Sequence, residues 1–162
     1  MVQYGRGIVV TQIAIDTNLL LLLVVGHVSR PFIRQHKRLA AFTGRDFDQL
    51  SIAVIQADSI VTTPNVMTEV SNLAIQGVLE PYRSLILEVL VTFSGRMIEL
   101  YRPTADVLRK EDYIQFGLTD SVWLQILDND TILMSDDRQL CRAAEARGFV
   151  AYHVDDLRGP SM

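Results

Sequence analysis

Four acidic residues lie near places where short apolar segments give way to helical ones. Asp16 follows "IAI", and Asp137 follows "TILMS" with Asp136 in between. Glu69 and Asp120 come between Asp16 and Asp137 in the chain and lie within helical segments. Carboxylates that meet in one pocket raise one another's pKa or need a cation, and an all-oxygen set favours Mg²⁺ or Mn²⁺ over zinc or copper. Such an ion activates water and stabilises charge on a phosphodiester, so the candidate chemistry is phosphoryl hydrolysis.

The elements that must position these acids alternate along the chain. Apolar, β-branched segments predict strands over 13–16, 59–63, 97–101, 131–135 and 150–154. Helices are predicted from about Leu19 and over 30–42, 47–57, 64–77, 79–95, 118–129 and 137–148. This alternation predicts an α/β fold, in which a central parallel sheet of about five strands is flanked by helices. Ligands of open α/β sheets bind outside the carboxyl ends of the strands, where Asp16 is expected.

Composition restricts the class of protein. The 162 residues, 49% of them hydrophobic, predict a single domain over 1–162 with flexible tails at 1–7 and 158–162. A net charge of -4 excludes a polycation that binds nucleic acid indiscriminately. The single cysteine excludes an intramolecular disulfide and a cysteine-based zinc cluster, and it suits the cytoplasm. The apolar run 19–25 is far shorter than a bilayer span, so no membrane partner is expected.

Four segments, in this order, resemble the PIN-domain ribonuclease family over nearly the whole chain: "IAIDTN", "TTPNVMTEVSNL", "FGLTDSVWLQI" and "ILMSDDRQLCRAAEARG". The resemblance maps the family's acidic tetrad onto Asp16, Glu69, Asp120 and Asp137. Asn18 and Ser135 match polar residues that support the site. The resemblance implies a PIN-like three-layer fold and a Mg²⁺- or Mn²⁺-dependent endoribonuclease acting on RNA. Many such proteins are homodimers, and many are the VapC-like toxin of a VapBC-type pair with an antitoxin protein.

The same resemblance implies roles for individual residues. Asp16, Asp120 and Asp137 would hold one or two ions, while Glu69 completes the shell or positions the attacking water. The family's spacing selects Asp137, although either carboxylate of the pair could face the ion; if Asp137 does, Asp136 is a supporting residue or an exposed one. One further supporting candidate comes from helical spacing alone, because Asn72 follows Glu69 by three positions and shares its face.

Each acid also has a simpler structural explanation. Asp16 is a suitable N-cap for the next helix, and Glu69 is of a type that usually lies on a solvated helix face. Asp120 and Asp137 fall in predicted first helical turns, where the helix dipole favours an acid. Their joint placement at one sheet edge favours a metal site. The alternative function is a catalytically silent PIN fold that serves as a binding module or scaffold in RNA metabolism.

A basic stretch, residues 29–45, separates the first acid from the second. On a helix, Arg30, Arg34, Lys37 and Arg38 would share one side and contact the phosphates of RNA. A solvated face, or a surface for an acidic partner segment, is the alternative. The stretch makes the connection from Asp16 to Glu69 longer than in compact toxin members of the family.

Six further residues suit no catalytic or metal-binding motif. Tyr101 and Trp123 are predicted to be core or interface aromatics, and Cys141 a small apolar core residue. The remaining three are histidines without zinc-site spacing: His27, His36 and His153.

Overall fold

The computed structural model describes residues 11–158 and is built around one five-stranded parallel sheet. Its strands are β1 (Gln12–Ile15), β2 (Ser59–Thr62), β3 (Met97–Glu99), β4 (Thr131–Ser135) and β5 (Val150–His153). They lie in the order β3-β2-β1-β4-β5, and every neighbouring pair is parallel. The predicted α/β fold, with a central parallel sheet of about five strands flanked by helices, is confirmed.

The strand order reverses between β1 and β4. From β1 the chain first builds β2 and β3 on one side, and it later adds β4 and β5 on the other. Ile15 pairs with Met134, so the carboxyl ends of β1 and β4 lie side by side. The amide of Asp16 extends this pairing by donating to the Met134 carbonyl oxygen at 3.0 Å. Such a reversal leaves a crevice at the sheet edge, where open α/β sheets bind ligands.

Eight α-helices are present within residues 11–158. They are α1 (Thr17–Val28), α2 (Gly44–Gln56), α3 (Pro64–Ala74), α4 (Tyr82–Ser94), α5 (Thr104–Leu108), α6 (Asp112–Ile126), α7 (Arg138–Ala146) and α8 (Val154–Leu157). The short helices α5 and α8 were not predicted. The helix expected over 118–129 begins earlier, at Asp112, and is kinked at Gly117, where φ is 76°. Because glycine adopts positive φ without strain, the chain bends there and continues as a helix.

The first helix is the centre of the core. From Leu19 to Val25 every side chain of α1 is at most 1% exposed, and α1 packs against α2, α3 and α4. A helix that is apolar on all sides is stable in water only when it is surrounded in this way. None of the helices within residues 11–158 is both long and apolar enough to cross a membrane.

The helix predicted over 30–42 is wrong. A 3-10 helix spans Arg30–Gln35, and three-residue turns follow it to Phe42. The buried side chains recur every third residue, at Ile33, His36, Leu39 and Phe42. This spacing fits the three residues per turn of a 3-10 helix, not the 3.6 of an α-helix. The four basic residues of the stretch therefore do not share one α-helical face.

The predicted tails, 1–7 and 158–162, lie outside the described residues except for Arg158. Arg158 follows α8, and its Nε donates to Asp46 Oδ1 at 2.6 Å. Asp46 is 2% exposed and completes the N-terminal capping box of α2 with Thr43. The end of the described chain is thus held against the start of α2.

Candidate active site

Asp16 stands at the junction of β1 and α1. Its backbone is extended (φ -68°, ψ 161°), and its Oδ1 accepts from the Thr17 amide at 2.6 Å, so it is the N-cap of α1. The side chain is nevertheless 7% exposed and lines a cavity at the carboxyl edge of the sheet. The capping role and a role in the cavity therefore coexist in one carboxylate.

The end of β4 supplies the neighbours of Asp16. Ser135 donates from Oγ to Asp16 Oδ2 at 2.5 Å and accepts from the Asp137 amide at 2.9 Å. Asp137 is the N-cap of α7, where its Oδ1 accepts from the amides of Gln139 (2.7 Å) and Leu140 (3.3 Å). Ser135 thus orients Asp16, and the sequence-based expectation that it supports the acids agrees with this contact.

Two threonines fix the carboxylate of Glu69, which α3 presents at the surface of the cavity. Thr17 Oγ1 donates to Glu69 Oε2 at 2.9 Å, and Thr119 Oγ1 donates to Glu69 Oε1. The two threonines come from α1 and α6. Both oxygens of Glu69 are therefore held by residues adjacent to the other acids, Asp16 and Asp120.

Asp136 has its own support. Asn18 Nδ2 donates to its carboxylate at 3.0 and 3.3 Å, so Asn18 orients Asp136 and not Asp16. His153 is 8% exposed, and its Nε2 donates to the Asp136 carbonyl oxygen at 3.0 Å. Its Nδ1 accepts from the Asp155 amide at 3.1 Å, which fixes the tautomer with the proton on Nε2. Hydrogen bonds from Asn18 and His153 thus fix the side chain and the backbone of Asp136 at the site.

All four acids of the predicted tetrad line this one cavity, which has a volume of about 600 Å³ and which we call the acidic cavity. Its lining residues are Asp16, Thr17, Asn18, Arg38, Glu69, Asp120, Asp136, Asp137, Arg138 and His153. They come from both ends of the described chain and from its middle. The sheet edge therefore brings together the acids that the sequence predicted to converge.

Two of these acids, Asp120 and Asp16, have pKa values above the ordinary value of an aspartate. Burial, followed by repulsion from Asp16, Asp137, Glu69 and Asp136, raises the pKa of Asp120 to about 7. Burial likewise raises the pKa of Asp16 to about 6, although hydrogen bonds from Ser135 and Thr17 oppose the change. The carboxylate of Asp120 accepts no hydrogen bond from any residue between 11 and 158. Asp120 is therefore the acid whose charge is least compensated by the protein.

The residues fit a hard divalent cation in their chemistry. The candidate metal ligands at the acidic cavity are the carboxylate oxygens of the acids, and Mg²⁺ and Mn²⁺ prefer oxygen ligands. A cation also relieves the repulsion between these carboxylates. As placed, however, no three His, Cys, Asp or Glu side chains of the described chain are arranged around one point so as to hold an ion. Asp16 and Glu69 each direct both oxygens to protein donors.

The other predicted site residues are dispersed. Asn72 is exposed and does not line the acidic cavity. Of the basic residues, Arg38 does line it, whereas Arg30 pairs with Asp48. Arg34 is exposed, and Lys37 borders a different cavity together with Phe32 and Tyr82.

Four residues of the site were not predicted: Thr17, Arg138 and His153, which line the acidic cavity, and Thr119, which is bonded to Glu69. The threonines directly adjoin Asp16 and Asp120, and this adjacency was a usable signal. His153 had no comparable signal, because it adjoins none of the four predicted acids in the sequence.

Comparison with known proteins adds no family: no protein-family model, no curated protein and no solved structure matches this chain.

Proposed function

We propose that this chain is a divalent-metal-dependent endoribonuclease of the PIN-domain type. One observation carries the proposal: four acids from separate elements line one cavity at the switch point of a parallel sheet. These acids are Asp16, Glu69, Asp120 and Asp137. They are the four acids onto which the resemblance maps the family's tetrad. Their mutual repulsion supports the binding of a cation, since it costs free energy that a divalent ion offsets.

Asp16, Asp120 and Asp137 would hold Mg²⁺ or Mn²⁺ in this proposal. When bound, the ion supplies a site that polarises the phosphodiester and lowers the pKa of a water. Asp120 contributes a carboxyl group with no competing protein donor in the described chain, and Asp137 uses only Oδ1 for its helix cap. Asp16 is preoriented by Ser135, so its position costs little reorganisation.

Glu69 has a different role from the other three acids. Thr17 and Thr119 hold both of its oxygens, which fixes the carboxylate plane beside the acidic cavity. Each carboxylate oxygen has a second lone pair. Glu69 is therefore suited to orient a water molecule and to accept its proton as the water attacks phosphorus; one P–O ester bond breaks, and the leaving alkoxide takes a proton from solvent.

Arg38 is the residue that we assign to the RNA phosphate. It lines the acidic cavity and forms no ion pair with any acid among residues 11–158. Arg138 also lines this cavity, but its Nη2 is bonded to Asp155 at 2.5 Å. A guanidinium without an internal partner, next to four acids, is suited to neutralising a phosphodiester that enters the cavity.

The alternative is a catalytically silent PIN fold that acts as a binding module or scaffold. The observation in its favour is that the acids, as placed within residues 11–158, do not encircle an ion. In this alternative, the hydrogen bonds from Ser135, Thr17 and Thr119 are structural. The two functions differ in whether RNA is cleaved, so one experiment separates them.

The experiment is cleavage of a mixed cellular RNA preparation by the purified chain in Mg²⁺ or Mn²⁺. Asp120→Asn keeps the shape of the side chain and removes its charge, and we expect it to slow cleavage by roughly 100-fold or more. EDTA should abolish cleavage. Glu88→Gln removes an exposed acid on α4 and should leave the rate unchanged. If the wild-type chain and Asp120→Asn are equally inert while both bind RNA, the scaffold function replaces the nuclease.

The proposal extends to partners and location. The resemblance implies a homodimer and an antitoxin protein, and the single cysteine suits a cytoplasmic location. Exposed apolar side chains on α2, namely Ile52 at 49% and Ile55 at 82%, support a protein contact on that helix. Light scattering on the purified chain tests the dimer: a mass of twice 18.2 kDa is expected, and a monomer at all concentrations contradicts it.

A further inference from the structure

A second cavity adjoins the acidic cavity and has no role in the proposed chemistry. It has a volume of about 540 Å³ and shares Glu69 and Asp120 with the acidic cavity. We call it the side groove and define it by these two acids with Tyr101, Arg102, Phe116 and Gly117. Ligand pockets commonly have volumes of about 300–1,000 Å³, so the side groove is large enough for a small ligand or one unit of a polymer.

Tyr101 is the most unusual residue of the side groove. Its side chain is 72% exposed, although the sequence predicted a core or interface aromatic at this position. It makes no hydrogen bond with the described residues through its hydroxyl and no aromatic pair. Phe116, half-buried, lines the same groove. Two aromatic side chains therefore border a space that opens directly onto the acids.

The shape of the side groove depends on the kink of α6. At Gly117 the backbone is in the left-handed region, with φ 76°, and a Cβ placed there would meet no atom within 4 Å. The glycine is thus required by the backbone conformation and not by crowding. The kink leaves open space at Gly117. This space lies between Phe116 and Thr119, the residue that precedes Asp120 and is bonded to Glu69.

Arg102 gives the side groove a positive charge. Its Nη2 donates to the Gln125 carbonyl oxygen at 3.1 Å, which anchors the guanidinium to α6. Within the described part of the chain it pairs with no carboxylate. An arginine that is anchored through a carbonyl keeps its full charge and its other donors for an anion.

We propose that the side groove binds one unpaired nucleotide of single-stranded RNA next to the scissile phosphodiester, with its base stacked on Tyr101 and a phosphate on Arg102. The inference rests on the proposed function and adds a nucleotide-binding site to it, beside the acidic cavity. Aromatic side chains stack on base faces, which are covered in a duplex and accessible in a single strand. With Arg38 at the acidic cavity and Arg102 in the side groove, cationic groups flank the acids on two sides. A single strand can follow this path.

The test is binding of a fluorescent, random-sequence single-stranded oligoribonucleotide to chains that carry Asp120→Asn, so that bound RNA stays intact. Adding Tyr101→Ala should weaken binding by roughly 5- to 150-fold, the range for one stacked base, and Tyr101→Phe should retain it. Arg102→Ala should weaken binding and make it less dependent on salt. Tyr113→Ala and Arg83→Ala are matched controls, since both residues are exposed and outside the groove. A duplex of the same sequence should bind more weakly than the single strand.

Failure of this inference is distinguishable from failure of the proposed function. If the wild-type chain cleaves RNA but Tyr101→Ala binds the oligonucleotide as tightly as Tyr113→Ala does, the side groove is not a nucleotide site and the nuclease stands. If Tyr101→Ala loses binding while the wild-type chain does not cleave RNA, the nucleotide site stands and the nuclease fails. If duplex and single strand bind equally and both depend only on the arginines, stacking on Tyr101 is refuted.

Discussion

Ser135 Oγ donates a 2.5 Å hydrogen bond to Asp16 Oδ2 and joins the carboxyl ends of two adjacent strands that are 119 positions apart in the chain. The bond is buried, with Ser135 fully inaccessible and Asp16 at 7% exposure. It replaces part of the water that Asp16 lost on folding and fixes the orientation of its carboxylate. The same hydroxyl accepts from the Asp137 amide, so one serine links two acids of the proposed tetrad.

Ser135→Ala is expected to destabilise the chain and to raise the pKa of Asp16 above its value of about 6. The substitution leaves a buried carboxylate oxygen without its donor, which costs about 1–3 kcal/mol. Ser121→Ala is the matched control, because Ser121 is equally buried and its Oγ has no partner in the described structure. Denaturant unfolding measures both. Equal losses for the two variants would show that the bond to Asp16 contributes no stability.

Stability is expected to fall as the pH rises from about 4 to about 7. Burial and neighbouring acids raise the pKa of Asp120 to about 7, and burial raises the pKa of Asp16 to about 6. In the unfolded chain, an aspartate has a pKa of about 3.9. Between these values the folded chain binds more protons than the unfolded chain, so the free energy of unfolding decreases with pH. Asp120→Asn removes one of these groups. It should unfold with a free energy more than about 1 kcal/mol above the wild type at pH 8, and the gain should shrink towards pH 4.

Glu88→Gln provides the reference for this pH series, because Glu88 is exposed and lies outside the acidic cavity. Its stability difference from the wild type should not change with pH. A gain for Asp120→Asn that is equally independent of pH would contradict the raised pKa of Asp120.

Arg158→Ala is expected to destabilise the chain by about 1–3 kcal/mol, because Asp46 is 2% exposed and loses its guanidinium partner. Although burial raises it, hydrogen bonds from Arg158 and Thr43 bring the pKa of Asp46 below its ordinary value. The stabilisation is therefore present above the unfolded pKa of about 3.9 and is lost as the pH falls further. Arg109→Ala breaks an exposed pair with Asp106 and should cost under about 1 kcal/mol. Similar losses of unfolding free energy for both variants would show that the Arg158–Asp46 pair stabilises the chain no more than an exposed pair does.

Gly26→Ala is expected to lower the free energy of unfolding by about 1–2 kcal/mol. A Cβ at this position of α1 would overlap the ring of Phe47 on α2, so the ring or the two helices would have to shift. Overpacking of this kind costs about 1–3 kcal/mol, and the better helix propensity of alanine returns at most about 1 kcal/mol. Gly95→Ala has only backbone oxygens near 3.8 Å and should be neutral. A stable Gly26→Ala chain would mean that Phe47 moves aside freely.

Much of the fold was predictable because its signals are local. The five strands were located to within two residues, since each is a short β-branched or apolar segment with polar or glycine boundaries. The stretch 30–42 was mispredicted, because a period of three and a period of 3.6 are hard to distinguish over so few turns. The early start of α6 at Asp112 was also missed: the predicted helix began at position 118, directly after Gly117, where the structure has a kink and not a boundary.

The candidate site was predictable in its acids and in Ser135, but not in the threonines that hold Glu69. Asp16 and Asp137 stand at strand ends, and the sheet order decides that those ends are neighbours. The bonds of Thr17 and Thr119 to Glu69 depend on how α1, α3 and α6 face one another, which no local pattern encodes. The exposure of Tyr101 likewise depends on the course of the irregular segment 100–103 after β3, so an aromatic predicted for a core or an interface instead borders the side groove.

The most direct measurement of whether the four acids act as one cation site is the binding of Mn²⁺, followed by electron paramagnetic resonance of the free ion. The wild-type chain should bind Mn²⁺ saturably at pH 8, and Asp120→Asn should weaken the affinity at least about tenfold, since even residues that only support metal ligands have effects of this size. Glu88→Gln should bind as the wild type does. If the wild type binds no Mn²⁺, or if Asp120→Asn and Glu88→Gln bind it equally, the acidic cavity is not a metal site and the proposed metal-dependent cleavage has no basis in these residues.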